Sequence, residues 1–166
     1  MKRLLFFGLG LLSFAVPSRA QSVDASVGYS YFRLGGSGGL NQNGISGSVA
    51  YNPNRWLGLV GDLGVYHASP GGVSLNTSTY LFGPRLSFRN PSKVNPFGQV
   101  LFGGSRLTAG SGGGSSNQFA YSFGGGVDIG LLPQLALRPQ LDFVSLHNSR
   151  FTTNCTRVSL GFVVYF

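Results

Sequence analysis

Thr79-Tyr80-Leu81-Phe82-Gly83-Pro84-Arg85-Leu86-Ser87-Phe88 sets Tyr80, Phe82, Pro84, Leu86 and Phe88 on one face against Thr79, Gly83, Arg85 and Ser87 on the other. A period of two is that of a β-strand, whose successive side chains point to opposite faces. The decisive feature is the second face. A strand with one side in water carries Lys, Glu and Thr there, whereas this one carries glycine, serine and a lone arginine.

The same contrast recurs in seven other stretches. Ala25, Val27, Tyr29 and Tyr31 oppose Asp24, Ser26, Gly28 and Ser30; Ile45, Val49 and Tyr51 oppose Ser46, Ser48 and Ala50; Leu57, Leu59, Leu63 and Val65 oppose Gly58, Val60, Asp62, Gly64 and Tyr66. In the fifth stretch Val100 and Phe102 oppose Gln99, Leu101, Gly103 and Ser105. Then come Phe119, Tyr121, Phe123, Val127 and Ile129 against Ala120, Ser122, Gly124, Gly126 and Asp128; Leu135, Leu137, Pro139, Leu141 and Phe143 against Ala136, Arg138, Gln140 and Asp142; and Val158, Leu160, Phe162, Val164 and Phe166 against Arg157, Ser159, Gly161, Val163 and Tyr165. All four aspartates fall on the small, polar face.

Bulky apolar residues on one face and small polar ones on the other read as a barrel turned inside out, apolar to lipid and polar within. The fold expected is all-β, an eight-stranded antiparallel up-and-down transmembrane β-barrel. Its lipid-facing residues include Leu57, Leu59, Leu63, Tyr80, Phe82, Phe119, Tyr121, Phe123, Leu137, Phe143, Val158, Leu160 and Phe162. A soluble lipocalin-like carrier is the alternative that would turn this stripe inward.

Composition agrees. The 166 residues include 27 Gly, 14 Phe and 7 Tyr, with only 10% charged and 42% hydrophobic. Glycine this frequent excludes a helical bundle, because each interior glycine costs a helix about 1 kcal/mol; the apolar content excludes a disordered chain. Lys2 and Arg3, the apolar stretch Leu4 to Val16, and Pro17-Ser18-Arg19-Ala20 form a secretory signal peptide over residues 1–20. The barrel domain is then 21–166, with nine Lys plus Arg against four Asp, a net charge of +5. These basic residues are scattered rather than clustered with aromatics, so no nucleic acid is expected. Cys155 is the sole thiol and has no partner for an internal disulfide.

Connections alternate between long Gly-, Ser- and Asn-rich segments (33–43, 67–75, 107–117, 145–155) and shorter ones (52–55, 89–95, 130–134). Long outer loops and short periplasmic turns are expected of such a barrel, which puts the N-terminus and Phe166 on the periplasmic side. Tyr51, Trp56, Phe88, Phe97, Phe143 and Phe166 are expected to form interfacial girdles.

Asn54-Arg55-Trp56-Leu57-Gly58-Leu59-Val60-Gly61-Asp62, Leu81 to Phe88, Pro96-Phe97 with Leu101-Phe102-Gly103-Gly104, Gly124-Gly125-Gly126-Val127-Asp128, and Leu137-Arg138-Pro139 with Asp142 resemble the outer-membrane β-barrel family, in its compact, OmpA-like eight-stranded form. The resemblance covers the whole mature chain. It implies a location in the cell outer membrane, and it makes Val164-Tyr165-Phe166 similar to the aromatic signal read by the barrel assembly machinery. Periplasmic chaperones and outer-membrane lipid are the partners it implies, with the barrel a monomer. Arg33, Arg106, Arg150 and the two histidines make the outer loops mildly cationic, so that lipopolysaccharide phosphates are the expected neighbours. The peptidoglycan-binding domain often attached to such barrels is not expected here.

Of the inward charges, Asp62, Arg85, Gln99, Asp128, Arg138 and Asp142 form the candidate interior polar network. Centring the fourth turn near residue 92 sets Arg85 opposite Gln99, and the short turn after Ile129 brings Arg138 diagonal to Asp128. Two readings compete, an ion or proton path and a salt-bridged plug. The plug is favoured, since a lone buried charge costs several kcal/mol more than a paired one. Catalysis would need a nucleophile, a histidine base and an orienting acid, and neither His67 nor His147 has an acidic residue in its loop. Gly35 to Gly39 matches the G-x-S-x-G elbow but has no helix after it, and Gly110 to Gly114 lacks the lysine of a phosphate loop. No catalytic residue, metal or cofactor is expected. The inward glycines Gly28, Gly58, Gly64, Gly124, Gly126 and Gly161 fit the limited cross-section of a small barrel, with a binding cavity as the less favoured reading. The function expected is a structural or surface-interaction role, with a lipid A hydrolase type of lipid-modifying enzyme as the alternative.

Overall fold

A computed structural model describes residues 23–35, 39–69, 71, 74–89, 93–110, 114–148 and 152–166. The expected leader and Arg150 lie outside them. Eight strands follow in order: β1 (Val23–Leu34), β2 (Leu40–Tyr51), β3 (Leu57–Ala68), β4 (Leu75–Ser87), β5 (Val94–Ala109), β6 (Ser115–Leu132), β7 (Leu135–His147) and β8 (Thr152–Tyr165). Each pairs antiparallel with its chain neighbours and β8 pairs with β1, closing the sheet. Closure leaves no unpaired strand edge.

Period two decides which side of the wall each residue takes. Leu63 is 65% exposed and Phe82 61%, while their neighbours Asp62 and Leu81 are buried inside. All the residues expected to face lipid point outward, Leu137 being half-buried. The carrier alternative is thereby overturned, since its aromatic stripe would have to fill the lumen. Glycine serves the seam directly: Gly28 lies opposite Gly161, and a Cβ on either would run into its partner's backbone. At the turn before β3, Asn54 Oδ1 accepts the backbone N–H of Trp56 and of Leu57 at 3.0 and 2.8 Å, a side-chain cap that asparagine is suited to make.

Two expectations are corrected. Strands reach well into the segments expected as long loops, covering more than half of 33–43, 107–117 and 145–155 though only the ends of 67–75, so these connections no longer stand out against 52–56 and 88–93. Backbone ladders do not depend on side-chain polarity, so Asn41, Gln42, Asn117, Gln118 and Thr153 continue the pairing past the apolar band. The girdle also loses two members. Phe97 is buried inside the barrel, and Phe143 sits within β7, stacked on Phe123 at 5.3 Å. Trp56 and Phe88 do meet at the rim, edge to face at 5.9 Å.

Inside, the half of the barrel away from Val23 and Phe166 holds an apolar cluster beside the buried polar side chains of Gln42, Thr77, Ser105 and Ser122. Phe32, Tyr66, Leu101, Val144 and Leu146 pack together there, with the Phe32 and Tyr66 rings stacked at 4.6 Å. The other half is charged.

Gly161→Val forces a branched side chain against the β1 backbone at the closing seam, at a cost of about 3 kcal/mol. The expected outcome is a lower refolding yield and loss of the migration shift on boiling in dodecyl sulfate; a variant with wild-type heat modifiability would contradict the seam register.

Candidate functional site, the charge-balanced lumen

Arg157 projects inward from β8 and is 1% exposed. Its planar fork of five donors spans two carboxylates on different walls. Nη1 and Nη2 reach Asp62 of β3 at 2.6 and 3.2 Å, while Nε and Nη2 reach Asp142 of β7 at 3.0 and 2.8 Å. Nη1 also donates to the Tyr66 hydroxyl at 3.2 Å.

A second group lies nearer the termini. Arg138 grips Asp128 with two bonds, Nε to Oδ1 at 2.6 Å and Nη2 to Oδ2 at 2.7 Å, and the Tyr165 hydroxyl donates to Asp128 at 2.7 Å. Asp24 is shared by Arg138 and Arg85, each at 3.3 Å, by Arg89 at 3.4 Å and by the Asn52 amide at 2.9 Å. Two like charges, Arg85 and Arg138, are thus held close. The Phe97 ring packs against both, 4.6 and 4.8 Å from their guanidinium carbons, and offers each the negative charge of its π face.

Gln99 joins the groups. Its Oε1 accepts from Arg85 at 3.1 and 3.0 Å, and its amide donates to Asp142 at 3.2 Å. Gln140 adds a bond to Asp142 at 2.7 Å. The result is one connected network in which all four aspartates of the chain meet four arginines, Arg85, Arg89, Arg138 and Arg157. The interior charge sums to zero, so the surplus belongs to the ends: Arg55 and Lys93 at the end bearing the termini, Arg33 and Arg106 at the other.

All six residues expected in the network, Asp62, Arg85, Gln99, Asp128, Arg138 and Asp142, are brought together. Sequence reasoning placed Asp24 and Arg157 on the inward face without giving them a role. It missed Asn52, Tyr66, Arg89, Phe97 and the inward bond of Tyr165. The signal for Phe97 was its parity, since it shares a face with Gln99. A small cavity among the inward glycines measures about 20 Å³, room for a single water, and adjoins Asp62, Arg138 and Gln140.

The histidines stand apart. His67 Nδ1 meets Asn76 Oδ1 at 2.7 Å and its Nε2 meets Ser69 Oγ at 3.1 Å, while His147 Nδ1 meets Thr152 Oγ1 at 2.8 Å. Ser69, His67 and Asn76 are all exposed, a hydrogen-bonded row with a carboxamide where hydrolytic triads commonly use a carboxylate. Among the described residues no group of three or more His, Cys, Asp or Glu is placed to hold a metal ion.

Solved structures with this architecture are similar along nearly their whole length. Neisserial surface protein A (NspA) matches with a TM-score of 0.73 at 17% identity, over 87% of this chain and 97% of that one. Ail, the attachment invasion locus protein of Yersinia pestis, solved in complex with the heparin analogue sucrose octasulfate, matches at 0.66 and 17% identity, over 87% and 97%. The N-terminal β-barrel domain of Pseudomonas aeruginosa OprF matches at 0.60 and 16%, over 86% and 98%. No curated protein sequence matches significantly. The family model for the outer membrane protein beta-barrel domain matches residues 5–166. With its closed eight-stranded wall and polar lumen, the chain belongs to that family of cell outer-membrane barrels.

Proposed function

We propose that this barrel is a non-catalytic, non-conducting outer-membrane protein with a structural and surface-interaction role, its termini in the periplasm and its opposite rim among the headgroups of lipopolysaccharide. The sealed, charge-balanced lumen carries the reading. Every interior carboxylate is held by at least one guanidinium, a tightly packed apolar cluster follows, and the cavity between walls has room for one water only. A permeating ion would have to break buried pairs and then pass the packed side chains of Phe32, Tyr66 and Leu101.

Arg33 and Arg106 are exposed and point outward at the rim away from the termini, where phosphate groups of lipopolysaccharide match their charge. Val164-Tyr165-Phe166 as the signal for the assembly machinery, chaperone escort to the membrane and a monomeric state complete the proposal. Tyr165 then has two duties, recognition during assembly and a bond to Asp128 afterwards.

Arg157→Met leaves Asp62 and Asp142 without their shared cation and is expected to cost about 3 to 5 kcal/mol, read as an earlier midpoint in urea unfolding from bilayers; an unchanged midpoint would remove the network as the source of stability. In planar bilayers the wild type is expected to give no conductance steps and, mixed with lipid A, to leave its mass unchanged. Steady ion current, or deacylation lost in His67→Ala or His147→Ala, would overturn the inert reading. Arg33→Ala and Arg106→Ala are each expected to weaken retention of lipopolysaccharide, or of sucrose octasulfate as a polyanionic probe, by about fivefold at low salt, with the difference shrinking as salt screens it. Equal retention by all forms would sink the rim as a binding surface.

A further inference from the structure

The outward wall is not uniformly bulky. Across four neighbouring strands the ladder sets Leu86, Gly98, Gly125 and Leu141 in one row, and the two central glycines sink the surface into an open groove of about 750 Å³, with Phe88 at one end and Phe143 toward the other. The two glycines differ in origin. A Cβ on Gly125 would strike the Phe97 carbonyl, so close strand packing demands glycine there; a Cβ on Gly98 would meet only one atom, the Gly124 carbonyl oxygen, at 3.8 Å. Nothing within the protein excludes a side chain at Gly98, although glycine weakens a strand interior. The depression itself is what glycine provides at this position.

The groove runs toward the end bearing the termini, where Phe88 packs on Trp56, an aromatic pair suited to headgroup depth. The turns holding these two rings also hold Arg55 and Lys93, both exposed. All four aspartates are committed to the lumen, so no acidic side chain shares that rim. The third turn at this end, Pro133-Gln134, carries no charge. Cationic charge is therefore gathered on the side of the barrel where the groove opens.

We infer that this groove seats one acyl chain of an anionic glycerophospholipid, its phosphate drawn to Arg55 and Lys93. From Lys93 to Gly98 the strand covers about 16 Å, a length that a phospholipid acyl chain matches. In the cell this is the periplasmic-leaflet lipid if the termini face the periplasm, as proposed above. A symmetric bilayer frees the test from that orientation.

The barrel is reconstituted in nanodiscs with spin-labelled phosphatidylglycerol or phosphatidylcholine, and the motionally restricted fraction is measured by electron spin resonance. Gly98→Leu, which fills the groove without a backbone clash, is expected to abolish the restricted phosphatidylglycerol component. Gly61→Leu, which fills a second, smaller groove of about 480 Å³ elsewhere on the wall without a clash, is expected to leave it intact. Lys93→Gln and Arg55→Gln are each expected to lower the preference for phosphatidylglycerol over phosphatidylcholine by about fivefold. The boiling shift in dodecyl sulfate verifies folding of every variant, and the charge variants keep the test open if Gly98→Leu does not fold. Equal restriction in the wild type, Gly98→Leu and Gly61→Leu would overturn the inference, as would no lipid preference in the wild type. A dimer in the wild type that Gly98→Leu dissolves would overturn it too, since a second copy would then be the occupant.

Discussion

Four negative charges inside a narrow sheet of hydrogen-bonded strands set the terms for the rest of this molecule. A carboxylate withdrawn from water is tolerable only when a cation and further donors replace its hydration. Arg157 meets that demand twice over, for Asp62 and Asp142, and Gln99 carries the bonding onward to Arg85 and Asp24. Inward glycine and serine make room for these long side chains, and the bulk of the aromatic residues is left for the outside. A barrel filled in this way has a polar centre and an apolar coat, the reverse of a soluble protein, and each layer is the condition for the other.

Much of this was legible before any coordinates. Alternation gave the faces of the strands, because a one-residue slip would have turned the aspartates of β1, β3, β6 and β7 and the arginines of β4 and β8 into lipid. Counting outward from a turn centre paired Arg85 with Gln99, and the ladder has that pair. Such counting sees only adjacent strands. Asp62 lies on β3 and Arg157 on β8, so their contact crosses the lumen and has no sequence separation to betray it. Asp142 and Arg157 are directly paired, yet the polar run 145–155 hid this by resembling a loop. Polarity there marks where the wall leaves the apolar layer rather than where pairing stops.

The apolar plug left a trace that alternation alone overlooks. Leu81-Phe82, Leu101-Phe102 and Phe143-Val144 each place two large apolar residues in succession, and in a strand that means one on each face. Where such doublets recur at one level of the barrel, the inside is apolar as well as the outside. Phe97 illustrates a different blind spot. An aromatic near a strand end suggests the membrane interface, but its ring can also pack inward against guanidiniums, and only the three-dimensional neighbourhood distinguishes the two.

Beside the pairs between adjacent strands, Arg138 with Asp128 and Arg157 with Asp142, other ionic contacts join walls that are not neighbours in the sheet: β1 to β4 and β7 through Asp24, and β3 to β8 through Arg157 and Asp62. They act as spokes across a hoop, and a spoke needs the hoop. None can form fully while β1 and β8 are still apart, so they belong to the native barrel and not to the open sheet that precedes it. Interactions absent from the transition state slow unfolding without speeding folding. The lumen thereby sets the lifetime of the inserted protein, while the rate of insertion is left to the strands and their lipid-facing side chains.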